Sequence, residues 1–207
     1  MQCPFVIAVT GGAGSGKTTA ARHFRSRGAV VLDADQIAGE VLGREEIVRR
    51  LVDAFDGDIV GPDGFIDRAA LADAAFRGST TAARLNGVVH PEVEKALLER
   101  LKELEDAADP PGVVVLDIPL LDAVPEVAAR ASAVVAIEAP VDARVARLVA
   151  RGMAEDDMRR RIAVQPTDAE RRRGAAAVVI NDADEFMFTL RLDEVWDHLA
   201  GPGSPAP

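Results

Sequence analysis

The run Phe5-Val6-Ile7-Ala8-Val9-Thr10-Gly11-Gly12-Ala13-Gly14-Ser15-Gly16-Lys17-Thr18 decides how this 207-residue chain folds. Its first half is an apolar run that stops at glycines, the pattern of a strand buried on both faces of a parallel sheet. Residues 17–27 read as a helix that Gly28 terminates. Ala29-Val30-Val31-Leu32, closed by Asp33, is a second apolar run. Strand, helix and strand in this length are what a right-handed parallel crossover requires.

Further along, Val113-Val114-Val115-Leu116 before Asp117 and Ala133-Val134-Val135-Ala136-Ile137 before Glu138 repeat the pattern, with a shorter run at Ala177-Val178-Val179-Ile180. Five buried strands interleaved with helical stretches predict an α/β fold with an open, five-stranded parallel sheet. Residues 39–108 read differently. Helical patterns such as Glu92 to Leu104 alternate there with turns like Gly61-Pro62-Asp63-Gly64, and no apolar strand interrupts them. The expectation is a helical insertion in which His90-Pro91 opens a helix at Glu92, with Pro at the first helical position. The last seven residues, 201–207, are too small and polar to bury surface and are expected to fray.

Composition narrows the class. With 48% hydrophobic and 4% aromatic residues the core must be aliphatic, and a mean hydropathy of +0.07 with 28% charged residues excludes a disordered or fibrous chain. A net charge of −10 disfavours nucleic acid and anionic membranes as partners. A single cysteine, Cys3, no basic segment leading into an apolar one, and no apolar run near the roughly 20 residues of a membrane helix point to a cytoplasmic protein.

The segment Gly11 to Thr18 is a complete phosphate-binding loop pattern between the first strand and the first helix. Glycines are required because successive N–H groups must turn inward toward phosphate oxygens. The helix that follows adds its positive N-terminal end. Lys17 supplies a charge between the β- and γ-phosphates, and the Thr18 hydroxyl is placed to ligate Mg²⁺. The chain uses 21 arginines and 3 lysines, so a merely solvated cation at position 17 would more readily be arginine. Lysine fits a site built for a compact ammonium.

Switches, motors and kinases share this loop, so the rest of the site must decide. A guanine switch is disfavoured, because the nearest base-recognition pattern, Asn181-Asp182-Ala183-Asp184, lacks lysine. Asp33 and Asp35 fall at the carboxyl end of the second strand, where ligands bind in such sheets. Asp33 is assigned to orienting and deprotonating an attacking hydroxyl, and Asp35 to capping a helix that starts near Gln36. Asp117 closes its apolar run like the acidic residue that holds Mg²⁺, although Asp is also common in turns. From Arg144 to Arg173 nine arginines meet five acids. Arg144, Arg147 and Arg151 have i, i+3, i+7 spacing and share a helix face that ends at Gly152. Arg147 and Arg151 are the pair assigned to neutralising the transferring phosphoryl group from a closing lid.

Together these stretches resemble the dephospho-CoA kinase family. The resemblance runs over about residues 5–199, through Val9 to Thr18, Val31-Leu32-Asp33-Ala34-Asp35, Asp63-Gly64-Phe65-Ile66-Asp67-Arg68-Ala69-Ala70-Leu71, His90-Pro91, Asp117-Ile118-Pro119-Leu120-Leu121 and Arg147 through Gln165. It implies transfer of the ATP γ-phosphate to the ribose 3′-hydroxyl of dephospho-CoA with Mg²⁺, the last step of coenzyme A synthesis. It implies a nucleotide-binding core over 1–38, 111–140 and 166–200, a helical CoA region over 39–110 and a lid over 141–165. It also implies that Gly12, Ala13, Gly14, Ser15, Gly16, Lys17, Thr18 and Thr19 bind ATP, that Thr18 and Asp117 bind the metal, and that Thr10, Asp33, Arg68 and His90 face the acceptor. No obligatory protein partner is implied. The chain departs from the family's usual pattern at Ala13, at Asp122-Ala123, at Ala176-Ala177 and at Asn181-Asp182. A kinase for another small molecule, and an ATP-binding regulator without transfer, are the competing readings.

Overall fold

The structure, a computed structural model, describes residues 3–55, 59–61, 65–67, 70–71, 73–74 and 78–201. Arg68, the Asp63-Gly64 turn and most of the expected tail lie outside these. The chain divides into two compact units, one made of Met1–Asp33 with Glu103–Pro207 and the other of Ala34–Lys102.

The first unit is built on a sheet of five parallel strands, β1 (Phe5–Gly11), β2 (Val30–Asp33), β3 (Val113–Asp117), β4 (Ala133–Glu138) and β5 (Ala177–Ile180), in the order β2-β3-β1-β4-β5. Each observed strand lies within one residue of the apolar run that announced it. β1 is central because its side chains are apolar on both faces. Ile7, Val9, Val115, Val135, Ile137 and Val179 bury one face against Ala20, Ala21 and Phe24 of α1 (Lys17–Ser26), and Val6, Ala8, Val114 and Leu116 are buried on the other. α1 ends as its sequence requires. Gly28 has φ +102°, its N–H donates to Arg25 O, and the N–H of Ala29 donates to Phe24 O, the paired bonds of a Schellman motif.

The second unit holds α2 (Ala34–Val41), α3 (Glu45–Ala54) and α4 (Ser79–Glu105). Two expectations change here. α2 begins directly after Asp33, so Asp35 stands inside its first turn and is not the flanking cap. α4 is one helix of 27 residues with Pro91 in its interior, so His90-Pro91 does not open a helix at Glu92. Pro91 leaves the carbonyl four residues earlier, on Gly87, without its helical donor. Packing holds the helix across that gap: Val89, Val93, Ala96 and Leu97 are buried around it. Polar ties add to this within the unit, with Arg84 Nη1 donating to Ala54 O at 2.8 Å and Arg50 to Glu92 at 2.6 Å. The stretch is also not wholly helical, for Val60 and Ile66 form an antiparallel bridge.

Among the described residues, a 3₁₀ turn (Leu121–Ala123) and the helices α5 (Pro125–Ala128), α6 (Val141–Val149), α7 (Glu155–Ala163) and α8 (Asp168–Arg172) follow β3 and β4, and α9 (Glu185–Ala200) follows β5. α9 lies beside α1, and Trp196 stacks on Phe24 with ring centroids 5.7 Å apart. Because Phe24 is fully buried at the point where α1, α9 and the sheet meet, Phe24→Ala should cost about 3–5 kcal/mol. Urea denaturation followed by circular dichroism measures it, and a loss below 1 kcal/mol would contradict the packing described.

Candidate active site

Parallel register places the functional groups on one edge. Val9 pairs with Asp117 and Asp33 pairs with Asp117, so the ends of β2, β3 and β1 lie side by side, with strands about 4.8 Å apart. Past β1 the chain turns through Gly12 to Gly16 and enters α1 at Lys17. Ser15 N donates to Gly12 O at 3.0 Å, closing the turn. Gly16 has φ +106°, and a Cβ there would lie 2.4 Å from Asn181 Nδ2, so this position excludes every side chain.

Lys17, 9% exposed, donates its ammonium to Oδ1 of Asp117, 1% exposed, at the end of β3. A buried charge is tolerated only when paired, and this pair fixes both side chains at the mouth of the loop. Thr18 is exposed in the first turn of α1 and Thr19 is half-buried beside it. Asp33 is half-buried at the end of β2, immediately before α2.

The three same-face arginines part company. Arg144, 4% exposed, donates from Nε to Ala13 O at 2.9 Å and from Nη2 to Gln165 Oε1 at 3.1 Å, and Gln165 Oε1 also accepts Ala13 N–H at 3.0 Å. Burial draws its guanidinium below the ordinary arginine value while Asp168, 3.9 Å away, opposes the shift, and an arginine stays charged throughout. Arg147 donates to Gly14 O at 3.2 Å, to Ser15 O at 3.4 Å, and to Asn181 through both its backbone and side-chain oxygens. Arg151 lies beyond α6, exposed, in the turn that ends at Gly152. The structure therefore joins Arg147, but not Arg151, to the loop. It adds Arg144, Gln165 and Asn181, which the reading of the sequence did not select. The signal available for Asn181 was its place: like Asp33, Asp117 and Glu138, it is the polar residue at the carboxyl end of a strand run.

Thr10 is buried and donates from Oγ1 to Pro119 O at 3.2 Å, tying the end of β1 to the loop after β3. It lines a pocket of about 190 Å³ with Leu120, Leu121, Asp122, Arg171 and Gly174. His90 lies in α4 of the second unit, half-buried.

A strand-to-helix phosphate loop whose lysine is paired with the aspartate of the neighbouring strand, at the edge where a further carboxylate ends the next strand, is the working end of a P-loop kinase. A family profile for dephospho-CoA kinase matches residues 5–186. The Dephospho-CoA kinase of Thermobifida fusca is 37% identical over 195 residues, covering 93% of this chain and 95% of that one. That of Corynebacterium glutamicum is 40% identical over 178 residues, covering 85% and 88%. A crystal structure of a Thermus thermophilus protein superposes with a TM-score of 0.79 at 35% identity, covering 97% and 100%. The chain belongs to the dephospho-CoA kinase family, the ATP-dependent kinases of the final step of coenzyme A biosynthesis. Among the described residues no helix is long and apolar enough to cross a membrane.

Burial holds the His90 imidazole below its ordinary value of 6.5. The unfolded chain then binds the proton more readily, so the contribution of a neutral His90 is present above 6.5 and is lost as pH falls below it. His90→Gln should flatten the fall in melting temperature just below pH 6.5. Parallel curves for the two proteins would contradict the burial.

Proposed function

We propose that Lys17, Thr18, Asp33 and Asp117 carry out the transfer of the ATP γ-phosphate to the ribose 3′-hydroxyl of dephospho-CoA. The observation that carries the proposal is the Lys17 to Asp117 pair beside Asp33, a cation and two carboxylates on three adjacent chain segments of one sheet edge. Gly12, Ala13, Gly14, Ser15 and Gly16, with Thr19 in the first turn of α1, surround the triphosphate. The positive end of α1 favours it further. Lys17 holds the β- and γ-phosphates and neutralises the charge that spreads over the oxygens in transfer.

Asp117 and Thr18 suit Mg²⁺, because a buried carboxylate and an exposed hydroxyl beside the loop are hard oxygen donors. When bound, the ion neutralises β- and γ-phosphate oxygens. Asp33 accepts a hydrogen bond from the attacking hydroxyl, orients it in line and takes its proton as the new O–P bond forms and the bond from the γ-phosphorus to the β,γ-bridging oxygen breaks, with ADP leaving. Thr10 shapes the acceptor side through its bond to Pro119, and the role given to His90 and Arg68 is to bind the acceptor. Arg147 acts from behind the loop. Arg151, exposed beside Gly152 beyond the end of α6, is the cation that movement of the chain past the anchored Arg144 and Arg147 brings to the phosphoryl group.

Lys17→Ala should abolish turnover and, by leaving the buried Asp117 carboxylate unpaired, also lower the melting temperature. Asp33→Asn keeps shape and hydrogen bonding but removes basicity, so both substrates should still bind while turnover falls about 10²–10⁴-fold. Asp35→Asn should lose less. An ADP-release assay on the three proteins checks the order; near-full activity in Asp33→Asn with none in Asp35→Asn reverses the assignment.

A further inference from the structure

The outward carbonyls of the phosphate loop are all held. Ala13 O accepts Arg144 Nε at 2.9 Å, Gly14 O accepts Arg147 Nη1 at 3.2 Å, and Ser15 O accepts Asn181 Nδ2 at 2.8 Å. In a planar trans peptide the carbonyl of one residue and the N–H of the next point in opposite directions. Holding Ala13 O and Ser15 O outward therefore turns the N–H groups of Gly14 and Gly16 toward the inside of the loop, where an anion would sit.

Asn181 is the bracket that joins these bonds to the sheet. It is 7% exposed, and its backbone N–H donates to Glu138 O at 2.7 Å, which fixes it to the end of β4. Its Oδ1 and its own carbonyl accept Arg147 Nη2 at 3.0 and 3.1 Å, while Nδ2 reaches Ser15 O. Both ends of the amide are used, which requires an acceptor and a donor on one short side chain. Aspartate would set a charged acceptor against the Ser15 carbonyl, and alanine would leave that carbonyl with Arg147 Nη1 alone, at 3.4 Å, and Arg147 Nη2 with the backbone oxygen of residue 181 alone. Gly16 has no side chain where Asn181 approaches, so the two residues fit as a pair.

We propose that Asn181 is a positioning residue for phosphate binding: it holds the Ser15 carbonyl and the Arg147 guanidinium so that the loop N–H groups are preorganised toward the triphosphate. It does this without touching the nucleotide. The inference rests on the reading that the loop binds ATP.

The test uses inorganic tripolyphosphate, which has the phosphates and no base or sugar. Calorimetric titration of wild type, Asn181→Ala and Asn181→Asp with ATP and with tripolyphosphate should show both ligands weakened by the same factor, about tenfold for a lost buried hydrogen-bond pair. The KM for dephospho-CoA should stay unchanged. Unaltered tripolyphosphate affinity in a folded variant overturns the proposal, and with weakened ATP binding it places Asn181 at the base or sugar instead. Asp is nearly isosteric with Asn, so Asn181→Asp carries the test if Asn181→Ala does not fold. A wild-type protein that binds neither ligand overturns the nucleotide reading itself, and a variant that matches wild type for both overturns this inference alone.

Discussion

The in-register pairing of β1 between β3 and β4 is the constraint on which the rest depends. It delivers the glycine loop to the middle of the carboxyl edge and brings Asp117 beside the strand that feeds the loop. The loop has few hydrogen bonds of its own: Ser15 to Gly12 is the turn that closes it. Its conformation is held instead by side chains from α6 and from the end of β5, through Arg144, Arg147 and Asn181. A glycine-rich segment would otherwise be costly to order, since glycine loses the most backbone freedom on folding. The same freedom lets the peptides face outward with their carbonyls and inward with their N–H groups.

Electrostatics on this edge run against the rest of the chain. The protein carries a net charge of −10, yet two arginines and a lysine converge on the loop. Each is compensated differently: Lys17 by a buried carboxylate, Arg147 by neutral carbonyls, and Arg144 by carbonyls with Asp168 nearby. Carbonyl partners leave the guanidinium charges undiminished, so they add to the positive potential behind an anion. The arrangement favours negative charge at the loop in a chain whose net charge of −10 would otherwise repel it.

Much of this was legible in the sequence because its signals are local. Five apolar runs marked five strands, the loop pattern sat between the first of them and a helix, and Asp33 and Asp117 closed runs at the edge where ligands bind. Other parts depended on packing that one sequence does not display. Pro91 reads as a helix start by propensity, but the buried residues on both sides of it hold α4 through it. Asp35 reads as a cap, but α2 starts at Ala34. Spacing alone put Arg144, Arg147 and Arg151 on one face; it did not say that the face meets the back of the phosphate loop or that the helix ends before Arg151. Asn181 stands out in the sequence by its place after a strand run and as a departure from the family's pattern, but its role rests on groups 34 and 166 residues away in the chain.

The most direct test of the account is a coupled ADP-release assay with Mg²⁺ and ATP, offering dephospho-CoA beside a panel of nucleosides and sugars, with the product's phosphate located by phosphorus NMR. The account predicts ADP release with dephospho-CoA, one new phosphate on the ribose 3′-oxygen, and little turnover with the others. ATP binding without consumption when dephospho-CoA is present, or faster turnover of a nucleoside or sugar, would contradict it.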